Sequence, residues 1–327
     1  MAQRFLLPIA QHAGLHAHIL RAAVASSARP PASLAFRVVM SSDASPATRE
    51  AVHALAHTFP QLVPEKPSVV DMRSTSELAE ALENCDGVVL SSGLQDPDAL
   101  FAAESALVDT AKGSGGTQRI VKVSGAAGLV GKNAALALGR AHWQIEQALQ
   151  TAALSAPRRV DIVRPSTGMD SLLDGRLFDM VCGRTLSVSV KHGKVAFVHP
   201  MDTAEVIVSR LLQQGRGDAD TKSTIETFHV TGPDALTYEQ VAQELSAGIG
   251  DRVRYSYFPL WAVNTARWIQ GVRPDAIAAE IELSRALENG ADADVTRTVD
   301  TLLGKPARTF TSFVKENKNS WPLKAHT

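Results

Sequence analysis

Three residues near the start of the chain, Ala10, Ala13 and His16, stand at the spacing at which three glycines would cradle a dinucleotide phosphate. They fall in "FLLPIAQHAGLHAHILRAAV" (5–24), which reads as a buried strand, a turn and a helix. In such a turn the first glycine permits the tight bend. The second lets backbone approach a pyrophosphate, and the third lets the helix pack near the strand. Alanine adds one methyl and disfavours positive φ, which Ala10 and Ala13 tolerate if their φ angles are negative. An imidazole at His16 is a larger departure, and Gly14 can shift the turn by one residue. Three alternatives stand. The helix N-terminus still offers N–H groups and its dipole to a phosphate, with His12 or His16 as an added donor. Or the loop no longer binds a dinucleotide. Or the glycine register does not apply. Taken alone, His16 and His18 read as solvated helix residues.

Other residues carry less specific signals. Ser91, Ser92 and Ser124 end strands and offer hydrogen bonds to a cofactor or substrate. No GxSxG surrounds them, which argues against serine hydrolase chemistry. Asp43 can accept from ribose hydroxyls, which favours NAD over NADP, or it serves as an Asx-type turn residue ahead of Pro46. Asp71 terminates the third strand on the side of an adenine. His199 and Asp202 form HxxD, but two ligands without a third read as a strand end and a helix cap, so no metal is expected. Cys85 and Cys182 have no CxxC spacing and read as reduced thiols of a cytoplasmic protein.

Regular alternation must position these residues. Strand-like runs begin at "RFLLPIA" (4–10), "LAFRVVMSS" (34–42), "SVVDMR" (68–73), "DGVVLSS" (86–92), "RIVKVSGAAG" (119–128) and "RVDIVRPST" (159–167), with helical patterns between them. Nearly all-apolar strands alternating with helices predict an α/β fold with a doubly wound parallel sheet. Ligands then sit beyond the carboxyl ends of the strands, near Ala10–His16, Ser41–Asp43, Asp71–Arg73, Ser91–Gly93, Ser124–Gly128 and Arg164–Met169. "ARPPAS" (28–33) reads as a loop, and Thr237 with Gln240 as a capping box. Residues 256–327 are mostly helical in pattern. The net charge of −1, with no run of one sign, points to neither nucleic acid nor an anionic membrane as partner. No apolar run reaches the ~18 residues that cross a bilayer. The first acidic residue is Asp43, so the acid-poor start could mimic a transit peptide. Gln11, His12, His16 and His18 interrupt it, and it reads instead as the first strand and helix.

Several blocks, in order, resemble the NmrA-like, atypical short-chain dehydrogenase/reductase family, in particular its quinone- and dye-reductase branch. They are "RAHWQIEQALQTAAL", "VDIVRPSTGMDSLL", "VAFVHPMDTAEVIVSRLL", "FHVTGPDALTYEQVAQELSAGIG" and "LGKPARTFTSFVKEN". The resemblance implies a Rossmann-type NAD(P)-binding domain over 1–165, with later strands near 194–200 and 226–231 returning to or flanking the sheet. A smaller, mostly helical substrate lobe then covers 166–327. It implies NADP or NAD as cofactor, with members that are reductases and others that sense nucleotides or regulate transcription.

Residue by residue, the family's GATGxxG glycines fall on Ala10, Ala13 and His16. NADP-preferring relatives carry Arg near Ser41, where this chain has uncharged Ser41 and Ser42. The superfamily's Tyr-x-x-x-Lys falls on Leu138 and His142, and the only tyrosines are Tyr238, Tyr255 and Tyr257. His142, with an ordinary imidazole pKa near ~6.5, is then the candidate acid/base, against the alternatives of a ribose-contacting or structural histidine. Thr167, Gly168 and Met169 are expected to line the nicotinamide or substrate side, and Arg164 to hold the strand–loop junction. The expected function is hydride transfer to a quinone, enone or planar carbonyl compound in specialised metabolism, with weak or atypical cofactor binding. The partner is an aromatic or quinonoid small molecule. The alternatives are a cofactor-independent dehydratase, isomerase or cyclase using His142, and a non-catalytic NAD(P) sensor or regulatory binding protein.

Overall fold

A computed structural model describes residues 3–11, 13–27, 34–113, 117–155, 158–213 and 224–322. The expected loop at 28–33 lies outside them. The first strands and helices alternate as β1 (Gln3–Ile9), α1 (Gly14–Ser27), β2 (Leu34–Ser41), α2 (Pro46–Thr58), β3 (Ser68–Val70), α3 (Thr75–Leu82), β4 (Gly87–Leu90), α4 (Pro97–Gly113), β5 (Arg119–Val123), α5 (Ala137–Ser155) and β6 (Arg159–Pro165). There follow α6 (Gly175–Cys182), β7 (Thr185–Val188), β8 (Lys194–Val195), α7 (Pro200–Leu212), β9 (Thr224–Val230), β10 (Leu236–Thr237), α8 (Tyr238–Ile249) and β11 (Arg254–Tyr257). Four helices close the chain: α9 (Leu260–Ile269), α10 (Pro274–Glu288), α11 (Thr298–Leu303) and α12 (Phe310–Glu316).

Seven strands form one sheet in the order β3-β2-β1-β4-β5-β6-β9. β1 pairs in parallel with β2 on one side and β4 on the other. The strand order therefore reverses between β1 and β4, the place where a doubly wound sheet opens a ligand crevice. Phe5, Leu6, Leu7 and Ile9 of β1 are all buried, as successive residues must be when helices cover both faces. Ser45 and Ser74 cap α2 and α3 by accepting from Thr48 N and Glu77 N, which fixes where the chain leaves the sheet edge.

The chain divides into two compact units. The first comprises residues 1–124, 140–164 and 204–228 and carries most of the large sheet. The second comprises 125–139, 165–203 and 229–327. Its core gathers Phe197, Tyr238, Phe310, Phe313 and Trp321, and the Trp321 indole donates to Leu172 O at 2.7 Å. Two small ladders brace it, β7 with β11 in parallel and β8 with β10 antiparallel. The capping box at α8 forms in both directions, between Thr237 and Gln240. Among the described residues no helix is long and apolar enough to cross a membrane.

Candidate functional site

The turn after β1 is held by backbone. Ala10 N and Gln11 N both donate to Ser92 O, at 3.0 and 3.4 Å, and Thr48 Oγ1 donates to Gln11 O at 2.6 Å. Among the described residues only Asn84 and Arg184 are non-glycines with positive φ. Ala10 and Ala13 therefore meet the condition under which alanine replaces glycine without backbone strain. Gly14 opens α1, and a Cβ placed there would meet nothing within 4 Å, so backbone at the helix N-terminus is approachable. His12 lies outside the described residues. His16 is not solvated: it is 1 % exposed, and its Nε2 lies 3.0 Å from Ser91 Oγ. The imidazole fills the space where α1 passes the end of β4.

A groove of about 570 Å³ opens at this turn, lined by Ala10, Gln11, Ala13, Asp43, Thr48 and Leu94 among others. It adjoins a second hollow of about 270 Å³, which shares Asp43 and Leu94 and adds Ser41, Ser42, Asp71, Arg73 and Asp98. Ser41 Oγ donates to the Asp43 carboxylate and fixes its direction. Arg73 is paired with Asp71 at 3.4 Å. The Arg73 backbone N–H first, and its guanidinium after, hold the Asp71 carboxyl below the usual range. Arg49 directs its guanidinium to Ala44 O and Ser42 O, so it ties the loop after β2 to α2. The groove thus joins Ala10, Ala13 and Asp43, the adjoining hollow adds Ser41 and Asp71, and His16 and Ser91 pair with each other.

Further along the sheet edge the strand ends carry buried ionic clusters. Ser92 Oγ donates to Glu104 at 2.9 Å, and Glu104 pairs with Lys122 at 2.7 Å with both side chains essentially fully buried. Next to this, Ser124 Oγ donates to Glu146 Oε1 at 2.7 Å. Arg164 binds both oxygens of the same carboxylate, through Nε to Oε1 at 3.1 Å and Nη2 to Oε2. Arg164 therefore does more than hold the strand–loop junction. His142 stands one helical turn before Glu146 on α5. Its Nδ1 is buried with no hydrogen-bond partner among the described residues. Burial, then the charges of Lys122 and Arg164, push its pKa down to about 2. The sequence predicts a histidine near neutrality; the structure gives a ring that stays uncharged throughout the physiological range.

Thr167, Gly168 and Met169 belong to the second unit, where a residue missed in the sequence, Asp292, holds Ser166 and Thr167. Asp292 Oδ2 accepts from Thr167 N at 2.9 Å and Thr167 Oγ1 at 2.7 Å, while Oδ1 accepts from Ser166 Oγ at 2.7 Å. Burial raises the Asp292 pKa, and the Thr167 and Ser166 bonds oppose that shift. Met169 packs into the apolar core, and its N–H donates to Val198 O. The HxxD pair serves structure: His199 Nδ1 accepts from Met201 N, and Asp202 accepts from Arg308. Lys122 interrupting "RIVKV" and Glu104 on an otherwise apolar helix face are the signals from which the buried pair could have been found. Asp292 leaves no local signal.

The strand order reversal and the groove at this edge define a Rossmann-like, doubly wound α/β fold. No family model matches the chain. It is 34 % identical to the NAD(P)H azoreductase of Xenophilus azovorans over 123 residues, 38 % of this chain and 41 % of that protein. It is 28 % identical to the agroclavine dehydrogenase of Claviceps fusiformis over 141 residues, 43 % of this chain and 46 % of that protein. The matched stretches thus span less than half the length of these two relatives. The triphenylmethane reductase of Citrobacter, solved with NADP(H), superposes with a TM-score of 0.72 at 16 % identity, covering 96 % of this chain and 99 % of that one. The chain thus shares the fold of that reductase, the Rossmann-type fold that the resemblance of its sequence blocks implies.

Proposed function

We propose that the chain is an NAD(P)-linked oxidoreductase that delivers hydride to a planar quinonoid, enone or related acceptor, in specialised metabolism. The observation that carries this is the groove running from Ala10 and Ala13 at the head of α1 to Asp43 at the end of β2. Its parts fit a dinucleotide. The first turn of α1, a 14-residue helix, offers N–H groups to a phosphate. Ala10 and Ala13 have negative φ, and Gly14 leaves the approach open. Asp43, oriented by Ser41, accepts from a ribose diol. The bound cofactor supplies the hydride; the chain supplies position. The azoreductase and agroclavine dehydrogenase relatives support the reaction class.

With no Tyr-x-x-x-Lys at the expected helix and His142 held uncharged, the acceptor's proton comes from solvent. The same uncharged His142 speaks against a cofactor-independent isomerase built on that imidazole. The hollow adjoining the groove carries the carboxylates of Asp43, Asp71 and Asp98, and its Arg73 is paired with Asp71. An adenosine diol is therefore favoured over a 2′-phosphate, and NADH over NADPH. Turnover of a model quinone with each nucleotide tests the reaction. Saturable NADH binding without oxidation by any quinone or azo dye would instead support a nucleotide sensor.

A further inference from the structure

Helix α9 turns an apolar face outward. Trp261 is 83 % exposed, Trp268 71 % and Ile269 73 %, whereas Val263 is fully buried. At 3.6 residues per turn, Trp261 and Trp268 stand one above the other on the side opposite Val263, about 10 Å apart along the axis. Asn264 and Thr265 lie between them and are exposed as well, so this face carries no charge. An outward helix face is ordinarily charged or strongly polar. The other side of α9 fixes its rotation. Arg267 binds the Glu280 carboxylate of α10 through Nε at 2.9 Å, and Arg176 binds the same carboxylate. The tryptophans cannot turn inward without breaking the Arg267 pair and exposing Val263.

We propose that α9 is the contact of a two-fold dimer, in which two copies of this chain cross antiparallel at Asn264 and Thr265. The spacing of the tryptophans fits a second copy. A two-fold axis at the middle of the stripe sets Trp261 against Trp268 of the partner subunit, and Trp268 against the partner subunit's Trp261. Paired indoles gain from stacking as well as burial. The short side chains of Asn264 and Thr265 leave the helices room to cross. The area fits too. Trp261, Trp268 and Ile269 expose on the order of 500 Å² per chain, so two copies remove about 1,000 Å² from water, the size at which specific interfaces begin. A lipid surface suits the rim less. Arg267 and Arg273 each face a carboxylate, Glu280 and Asp275, so neither brings an unneutralised charge to anionic headgroups.

Sedimentation velocity of the full chain between about 1 and 100 µM tests this. Wild type is expected to pass from the 34.9 kDa monomer to a dimer over that range. Trp261→Lys and Trp268→Glu, both at exposed positions, should each weaken the dimer by about thirtyfold or more, as loss of a central aromatic contact does. Mixed with each other, these two variants should pair again. Lysine then meets glutamate at one end of the crossing, and tryptophan meets tryptophan at the other. A wild type that stays monomeric at about 100 µM would overturn the proposal, whatever the variants do. Variants that both dimerise as tightly as wild type would overturn it too, since the contact would lie elsewhere. A mixture that dimerises no better than either variant alone would overturn the antiparallel crossing. A monomeric wild type that floats with phosphatidylcholine vesicles would assign the tryptophans to a lipid surface and overturn the dimer.

Discussion

The His16 imidazole and the Ser91 hydroxyl meet at 3.0 Å beneath the turn after β1, with both residues buried. The imidazole is thus part of the packing between α1 and the end of β4. His16→Ala should leave the Ser91 hydroxyl short of a partner and a gap where the ring was. Equilibrium denaturation should register a loss of about 1–3 kcal/mol. A variant as stable as wild type would show that the contact contributes nothing.

Lys122 and Glu104 form a pair that water does not reach. Removing one partner strands the other charge, so Lys122→Met should cost about 3–5 kcal/mol. The double variant Lys122→Met/Glu104→Leu should cost less than either single change, because no unpaired charge remains. Urea denaturation of the four proteins measures the coupling. Additive losses would mean that the two charges do not depend on each other.

His142 sets a pH dependence whose sign can be worked out. Its folded pKa, about 2, lies below the ordinary value of 6.5. Below that ordinary value the unfolded chain takes up a proton that the folded chain refuses. Stability conferred at neutral pH is therefore lost as pH falls from ~6.5, by at most about 1.4 kcal/mol per pH unit. His142→Gln should flatten this slope between about pH 6.5 and 4.5. A melting profile with the same acid slope in both proteins would contradict the assignment.

Much of the architecture was legible because it is written locally. Largely apolar runs marked β1, β2, β4 and β5, and Thr237 with Gln240 marked the start of α8. The strand ends were legible as places, since a doubly wound sheet presents them at one edge. What they do there was not. His16 finds its partner 75 residues away, Ser124 finds Glu146 22 residues away, and Thr167 finds Asp292 125 residues away. No spacing rule encodes such pairs. His142 shows the same limit. Its ring type suggested a group poised near neutrality, but burial and the charges of Lys122 and Arg164, both brought in by the fold, set its actual state.

Asp292 holds the loop after β6 through three hydrogen bonds. Asp292→Ala should leave Ser166 and Thr167 donors unsatisfied and cost about 2–4 kcal/mol, read from chemical denaturation. Asp292→Asn should cost less, because one oxygen still accepts. Equal effects of the two would argue that shape, not acceptor number, matters at this position.

The most direct test of the central proposal is titration of the purified protein with NADH and NADPH, followed by nicotinamide fluorescence, on wild type and Asp43→Asn. Saturable binding is expected, with NADH tighter than NADPH. Asp43→Asn should lose about tenfold for NADH, the scale of a charge-assisted hydrogen bond. Absence of binding by either nucleotide at millimolar concentration would contradict the account.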